Sequence, residues 1–272
     1  MTETIWSHFK SPKFYHETVR KMLGVRDEKL VADFINDYLP RKEKVIVDLG
    51  IGTGRELEWL DELKNVSKII GIDKSEAMLK FCKKVAEKCK KEVILIKDDL
   101  FDLRKLPKFV ARERLPIIYI CLLNTLGNFN ERERKLVLSN IKKSMKEEDR
   151  LILCLYKVLD AVKINRFLKR IHRKFYPKEE KKAKEIYEMI EYALLPIFWD
   201  PIMEKFKTVP TFWYNEKTHD IVVHLRKKRV FISHRFTKEE IRNLHKDVGL
   251  KLEKIVEGKL MYISVARSKL KR

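Results

Sequence analysis

The stretch Val45-Ile-Val-Asp48-Leu-Gly50-Ile-Gly52-Thr-Gly54 decides the fold. A β-branched run ending in an acid and three alternate glycines reads as a buried strand followed at once by a tight turn. Glycine accepts left-handed backbone there and lets another group approach the main chain closely. Four more apolar runs repeat the pattern: Ile69 to Asp73, Val93 to Asp99, Leu115 to Leu123 and Arg150 to Tyr156. Their lack of polar alternation marks strands buried on both faces. Stretches of helical period lie between them: Arg55 to Leu63, Ser75 to Cys89 with Ser75 as N-cap, and Glu131 to Met145 with Asn130 ahead of it. Alternating strand and helix predicts a doubly wound, mostly parallel sheet.

After Tyr156 the alternation breaks. Residues 158 to 206 read as mostly helix, and Thr218 to Phe236 as an antiparallel hairpin pivoting on the basic cluster Arg226 to Arg229. It resumes with a helix starting at Thr237 and stopping at Gly249, then two strands, Lys251 to Gly258 and Leu260 to Ser268. The expected fold class is therefore α/β, a seven-stranded, mostly parallel Rossmann-like sheet with a terminal antiparallel strand and a helical plus hairpin insertion. Residues 1–157 and 236–272 form the core, and 158–235 the insertion, read as the substrate-recognition part. Residues 1–40, with Trp6, Phe9, Phe14 and Tyr15 ahead of a helix through Ile35, are expected as a cover across the carboxyl edge of the sheet.

The 272 residues are 44% hydrophobic, enough for a substantial core, which excludes a disordered basic tail. No apolar run has the length of a membrane span or a signal peptide. Four cysteines, Cys82, Cys89, Cys121 and Cys154, form no CxxC pair, so a reducing cytoplasmic compartment and no metal site are expected. The absence of Gln beside abundant Lys, Arg and Glu suits a thermophile.

The glycine cluster does not make a dinucleotide fingerprint, which needs glycine where Arg55 stands, and no G-K-[ST] follows to make a P-loop. Asp-x-Gly-x-Gly-x-Gly resembles motif I of the class I S-adenosylmethionine (AdoMet) dependent methyltransferases. The resemblance spans roughly residues 30–157 and 236–268. It implies AdoMet as cofactor, held by Asp48, Gly50, Gly52, Gly54, Asp73, Asp99 and Leu100. Asp73, 25 residues after Asp48, would accept both ribose hydroxyls. Asp99 would take the adenine amino group with Leu100 and Phe101 against the ring, and Asp98 is its rival.

Motif IV falls at Asn124-Thr-Leu-Gly-Asn128-Phe129. It partly resembles the [D/N/S]-P-P-[Y/F/W] motif of amino-group methyltransferases acting on bases, without the prolines and with a longer spacing. Thr-Leu-Gly-Asn-Phe is similar to the T-I-G-N-F stretch of histidine-betaine-forming enzymes, and N-x-x-G to small-amine methyltransferases. All imply a nitrogen acceptor, with Asn124 and Phe129 as catalytic candidates, Asn124 polarising the amine and Phe129 stacking on a base. The alternative is that Asn124 caps the turn and Phe129 packs in the core. Cys121 and Cys154 lie inside strands, so no cysteine pair stands where RNA cytosine-C5 enzymes use one.

The net charge is +21, of which +8 lies in residues 1–157 and +13 in the shorter remainder. Between Lys163 and Lys178 seven basic residues occur with no acid; Lys163, Arg166, Arg170, Arg173 and Lys174 fall on one helical face. With Arg226, Lys227, Lys228 and Arg229 they form the expected RNA-binding set, since a phosphate backbone suits such a surface. The expected substrate is a structured RNA, ribosomal RNA first, with cytidine N4 ahead of adenosine N6; a membrane is not an expected partner. A small-molecule amine N-methyltransferase and a non-catalytic RNA-binding protein on the same fold are the alternatives.

Overall fold

The computed structural model describes residues 12–13, 16, 25–38, 41–158, 211–225, 228–258 and 260–268. In chain order the elements are α1 (Val25–Asp37), β1 (Lys44–Leu49), α2 (Leu57–Leu60), β2 (Val66–Asp73), α3 (Glu76–Ala86), β3 (Glu92–Lys97), α4 (Leu106–Val110), β4 (Ile117–Cys121), a 3-10 turn (Thr125–Asn128), α5 (Glu131–Ser144), β5 (Arg150–Tyr156), β6 (Thr211–Asn215), β7 (Asp220–Leu225), β8 (Lys228–His234), α6 (Lys238–Asp247), β9 (Leu250–Glu257) and β10 (Met261–Ser268).

Seven strands form one sheet in the order β3-β2-β1-β4-β5-β10-β9. Neighbours from β3 to β5 pair in parallel, and β10 runs antiparallel between β5 and β9. The fold is Rossmann-like. Alternation along β1 feeds two cores: Ile46 faces Val31 and Ile35 of α1 and Met78 and Cys82 of α3, while Val45 and Val47 face Val137, Leu138 and Ile141 of α5 and Leu244 of α6. Both faces are covered, so the central strands carry apolar residues at successive positions, as in Val45 to Val47 and Ile117 to Cys121.

The helix caps follow from local chemistry. The Ser75 hydroxyl accepts from the Met78 amide at 3.3 Å, and Asn130 with Glu133 and Thr237 with Glu240 form reciprocal capping boxes. The helical period over Arg55 to Leu63 gives less than expected. Only Leu57–Leu60 is helical, and the flanking bonds close i to i+3 turns, Glu62 to Trp59 and Leu63 to Leu60. Asp61 draws the chain aside, because its carboxylate accepts from the amides of Lys90 and Lys91 ahead of β3.

Helix α1 lies against a face of the sheet rather than across its edge. The Lys44 ammonium, buried at the start of β1, donates to the carbonyls of Ile35 and Tyr38 at the helix end. Among the described residues of the N-terminal segment, His16 reaches the carboxyl edge, at Thr53. The expected hairpin is present as β7 and β8, with Leu225 opposite Lys228, and β6 adds an unanticipated third strand through Thr211 to Asn215.

Candidate cofactor and acceptor site

The turn after β1 is built as its sequence demands. Gly50, Gly52 and Gly54 all have positive φ, at 94°, 54° and 73°. Among the described residues a side chain at Gly52 would meet the Gly50 carbonyl alone, at 3.9 Å, so that part of the turn is left open by them as a cradle. At Gly54 a Cβ would stand 2.5 Å from Cys82 Sγ, so that glycine is required by packing instead. At Gly50 it would stand 2.9 Å from Thr125 Cγ2, which places motif I directly against motif IV.

Asp73 ends β2 beside this cradle. Its carboxylate accepts from the Gly52 amide at 3.0 Å and from Ser75 at 2.8 Å, so it shapes the turn and keeps lone pairs for a ligand. Burial raises its pKa against those amide bonds. Asp98 and Asp99 separate cleanly. Asp98 is buried and accepts from the amides of Asp99, Arg104, Lys105 and Leu106, which commits it to the loop. Asp99 is half-buried, and its carboxylate accepts from the Phe101 amide at 3.0 Å. Leu100 is buried next to it, and Phe101 meets Phe129 edge-on at 5.0 Å.

Asp48 is 1% exposed at the end of β1, and Oδ2 has no hydrogen-bond partner among the described residues. Burial, then the neighbouring Glu56 and Asp73, hold its carboxyl well above the ordinary range, with Arg55 in partial opposition. Arg55 Nη2 donates to Glu56 Oε1 at 3.0 Å, and both side chains are 7% exposed. This buried pair was not anticipated, although a charged pair directly after a glycine turn is a readable signal. His16, also unanticipated, bonds through Nδ1 to Thr53 Oγ1 at 3.0 Å and packs on Phe81.

Asn124 sits just past β4 with φ 60°, after Leu123 with φ 51°. Two successive non-glycine residues in this region are a mark of a constrained turn. The Asn124 amide is committed to the protein: Nδ2 donates to Ser233 Oγ at 3.3 Å and to the His234 carbonyl at 3.1 Å, and Oδ1 accepts from the Tyr156 amide at 2.9 Å. Gly127 is the reason, since a Cβ there would collide with that amide. Phe129 stands with Phe101 and gives its carbonyl to Arg134. Below the turn, His234 Nδ1 bonds to Asp220 Oδ1 at 2.8 Å, and the Arg235 guanidinium is wholly buried over the Tyr156 ring at 4.6 Å.

Of the expected RNA contacts, Lys163, Arg166, Arg170, Arg173, Lys174, Arg226 and Lys227 lie outside the described residues. Lys228 and Arg229 open β8, paired with Leu225 and His224 of β7. Among the described residues no helix is long and apolar enough to cross a membrane.

Residues 46–148 match the family model described as a methyltransferase domain. That stretch is similar to a methyltransferase domain, and AdoMet is the cofactor such a domain implies. Among the described residues, those present fit that group: a glycine turn with room at Gly52, the Asp73 carboxylate beside it, and a buried Asp48 oxygen without a hydrogen-bond partner. Similar structures include the CcbJ methyltransferase of Streptomyces caelestis (TM-score 0.60, 13% identity, 99% of this chain and 100% of that one). An AdoMet-dependent methyltransferase of Clostridium acetobutylicum gives 0.53 and 12% over 93% and 96% of the two chains. A protein of Pyrococcus horikoshii gives 0.51 and 14% over 89% and 90%. At such identities the likeness is one of fold. No curated protein matches the sequence.

Proposed function

We propose that this methyltransferase acts on nitrogen in a structured RNA, ribosomal RNA first, with cytidine N4 as the leading acceptor ahead of adenosine N6. The observation that carries the reading is the course of β8. It starts at Lys228 and Arg229 and ends at Ser233 and His234, which hold Asn124. At about 3.3 Å per residue, the strand positions Lys228 and Arg229 lie some 15 Å along β8 from the residues that hold the acceptor turn, a span that suits phosphate contacts at one end and the acceptor at the other. A net charge of +21 supports a polyanionic substrate, and residues 158–235 are the proposed recognition part.

AdoMet brings the methyl group already activated on a sulfonium, so the protein chiefly has to orient the acceptor in line with it. Gly50 and Thr125 in contact bring the cofactor turn and acceptor turn to one place. Asn124, with its amide engaged, is a positioning residue: it holds the acceptor turn in left-handed backbone against β5 and β8. Phe129 and Phe101 make an aromatic wall beside Asp99.

The test is mass spectrometry of RNA nucleosides from cells with and without the gene. Loss of a methylated cytidine or adenosine is expected, and an unchanged RNA profile favours a small amine as substrate. Reversing Arg166, Arg170 and Arg173 to Glu should abolish RNA methylation and leave AdoMet affinity intact. Persistent modification would remove the basic face from the account.

A further inference from the structure

A buried cluster of acids flanks the glycine turn. Asp48 at the end of β1 and Glu56 ahead of α2 are 1% and 5% exposed, and Asp73 at the end of β2 is close enough to act on Asp48. Facing these three carboxyls, Arg55 donates to Glu56, and Lys74 acts on Asp73. Asp73 accepts from the amides of Gly52 and Ser75, whereas Asp48 Oδ2 has no hydrogen-bond partner among the described residues. Among the described residues, the thiols of Cys82 on α3 and Cys121 on β4 also feel Asp48. Burial and the nearby acids push both upward, Cys121 to about 12, so neither brings charge.

A carboxylate in such surroundings is costly, and a carboxylic acid is tolerated. A positive charge held beside the cluster reverses that preference. AdoMet carries a sulfonium, an ammonium and a carboxylate; its demethylated product lacks the sulfonium. We infer that Asp48 is protonated in the free protein and ionises when AdoMet occupies the glycine turn, so that Asp48 and Glu56 distinguish the cationic cofactor from its neutral-sulfur product. The O–H bond of Asp48 breaks, its electron pair stays on the carboxylate, and the proton passes to solvent. With the product in place the same carboxyl keeps its proton. The inference rests on AdoMet being the cofactor.

Calorimetric titration of the full chain near neutral pH, in two buffers of different ionisation enthalpy, reads the proton directly. Release of about one proton per AdoMet is expected, and distinctly less for S-adenosylhomocysteine. The α-amino group of either ligand gains rather than loses a proton on binding as a cation, so it cannot supply the release. Asp48→Asn should abolish it. Should that variant fail to fold, Glu56→Gln removes a negative neighbour, eases the proton off Asp48 beforehand and should reduce the release. Equal enthalpies in both buffers, equal release with both ligands, or release that survives Asp48→Asn would each overturn the inference. Absence of saturable binding by either ligand would overturn the cofactor itself, a separate failure.

Discussion

The side-chain amide of Asn124 donates to the main-chain oxygen of His234 at 3.1 Å while its own oxygen takes the Tyr156 amide at 2.9 Å. One buried side chain thus joins the turn after β4 to the end of β5 and to β8. The small antiparallel sheet and the Rossmann-like sheet meet at the residue that follows the fourth strand, beside the cofactor turn.

Asn124→Ala should therefore cost stability as well as turnover. It strips partners from Tyr156 N and His234 O and forces alanine into left-handed backbone, a loss of about 2–4 kcal/mol. A drop in melting temperature with AdoMet affinity largely retained is expected from thermal denaturation and calorimetry. A variant of unchanged stability but no turnover would instead make Asn124 a group that touches the acceptor.

Gly52 and Gly54 should fail differently. Gly52→Ala has room, so it carries only the strain of φ 54°, about 1 kcal/mol, and its methyl intrudes on the cradle. Gly54→Ala drives a methyl into Cys82 and Leu57. Calorimetry should show weakened AdoMet binding for a folded Gly52→Ala protein, and denaturant melts should show the larger stability loss for Gly54→Ala.

The two neighbouring acids after β3 separate in the same way. Asp98→Asn loses charge-assisted bonds from the amides of Arg104, Lys105 and Leu106 and should lower the melting temperature. Asp99→Asn should leave the melt almost unmoved and lower AdoMet affinity several-fold. The reverse pattern would move the adenine contact to Asp98.

Acid sensitivity should trace partly to Asp220. Burial raises its pKa, but hydrogen bonds from His234 and Thr218 and the charges of His234 and Arg134 bring it below the ordinary value. A carboxyl whose folded value is depressed contributes stability above its unfolded pKa, about 3.9, and that contribution is lost as pH falls through the folded value. Asp220→Asn should thus lower stability at neutral pH and flatten its decline below about pH 4, measured by urea unfolding across pH.

What the sequence disclosed was local or periodic. The β1 run, the caps Ser75, Asn130 and Thr237, and the glycine turn each state their structure within a few residues. Helix α2 stopped short because Asp61 is drawn to amides some thirty residues away, which no period reveals. Asp98 and Asp99 are chemically equivalent in the chain, and only the fold of the loop through Leu106 tells them apart. Asn124 was legible as a special residue but not in its direction: Gly127 opens the space that turns its amide inward. The Arg55–Glu56 pair and His16 on Thr53 depend on which groups the glycine turn draws underneath and over it.

The central claim is methyl transfer from AdoMet to RNA nitrogen, and its most direct measurement is transfer of labelled methyl from AdoMet by the purified protein to total RNA, with nucleosides separated afterwards. The account predicts ribonuclease-sensitive label in N4-methylcytidine, diminishing steeply as salt rises. Label found only in small molecules, with RNA unlabelled at low salt, would contradict it.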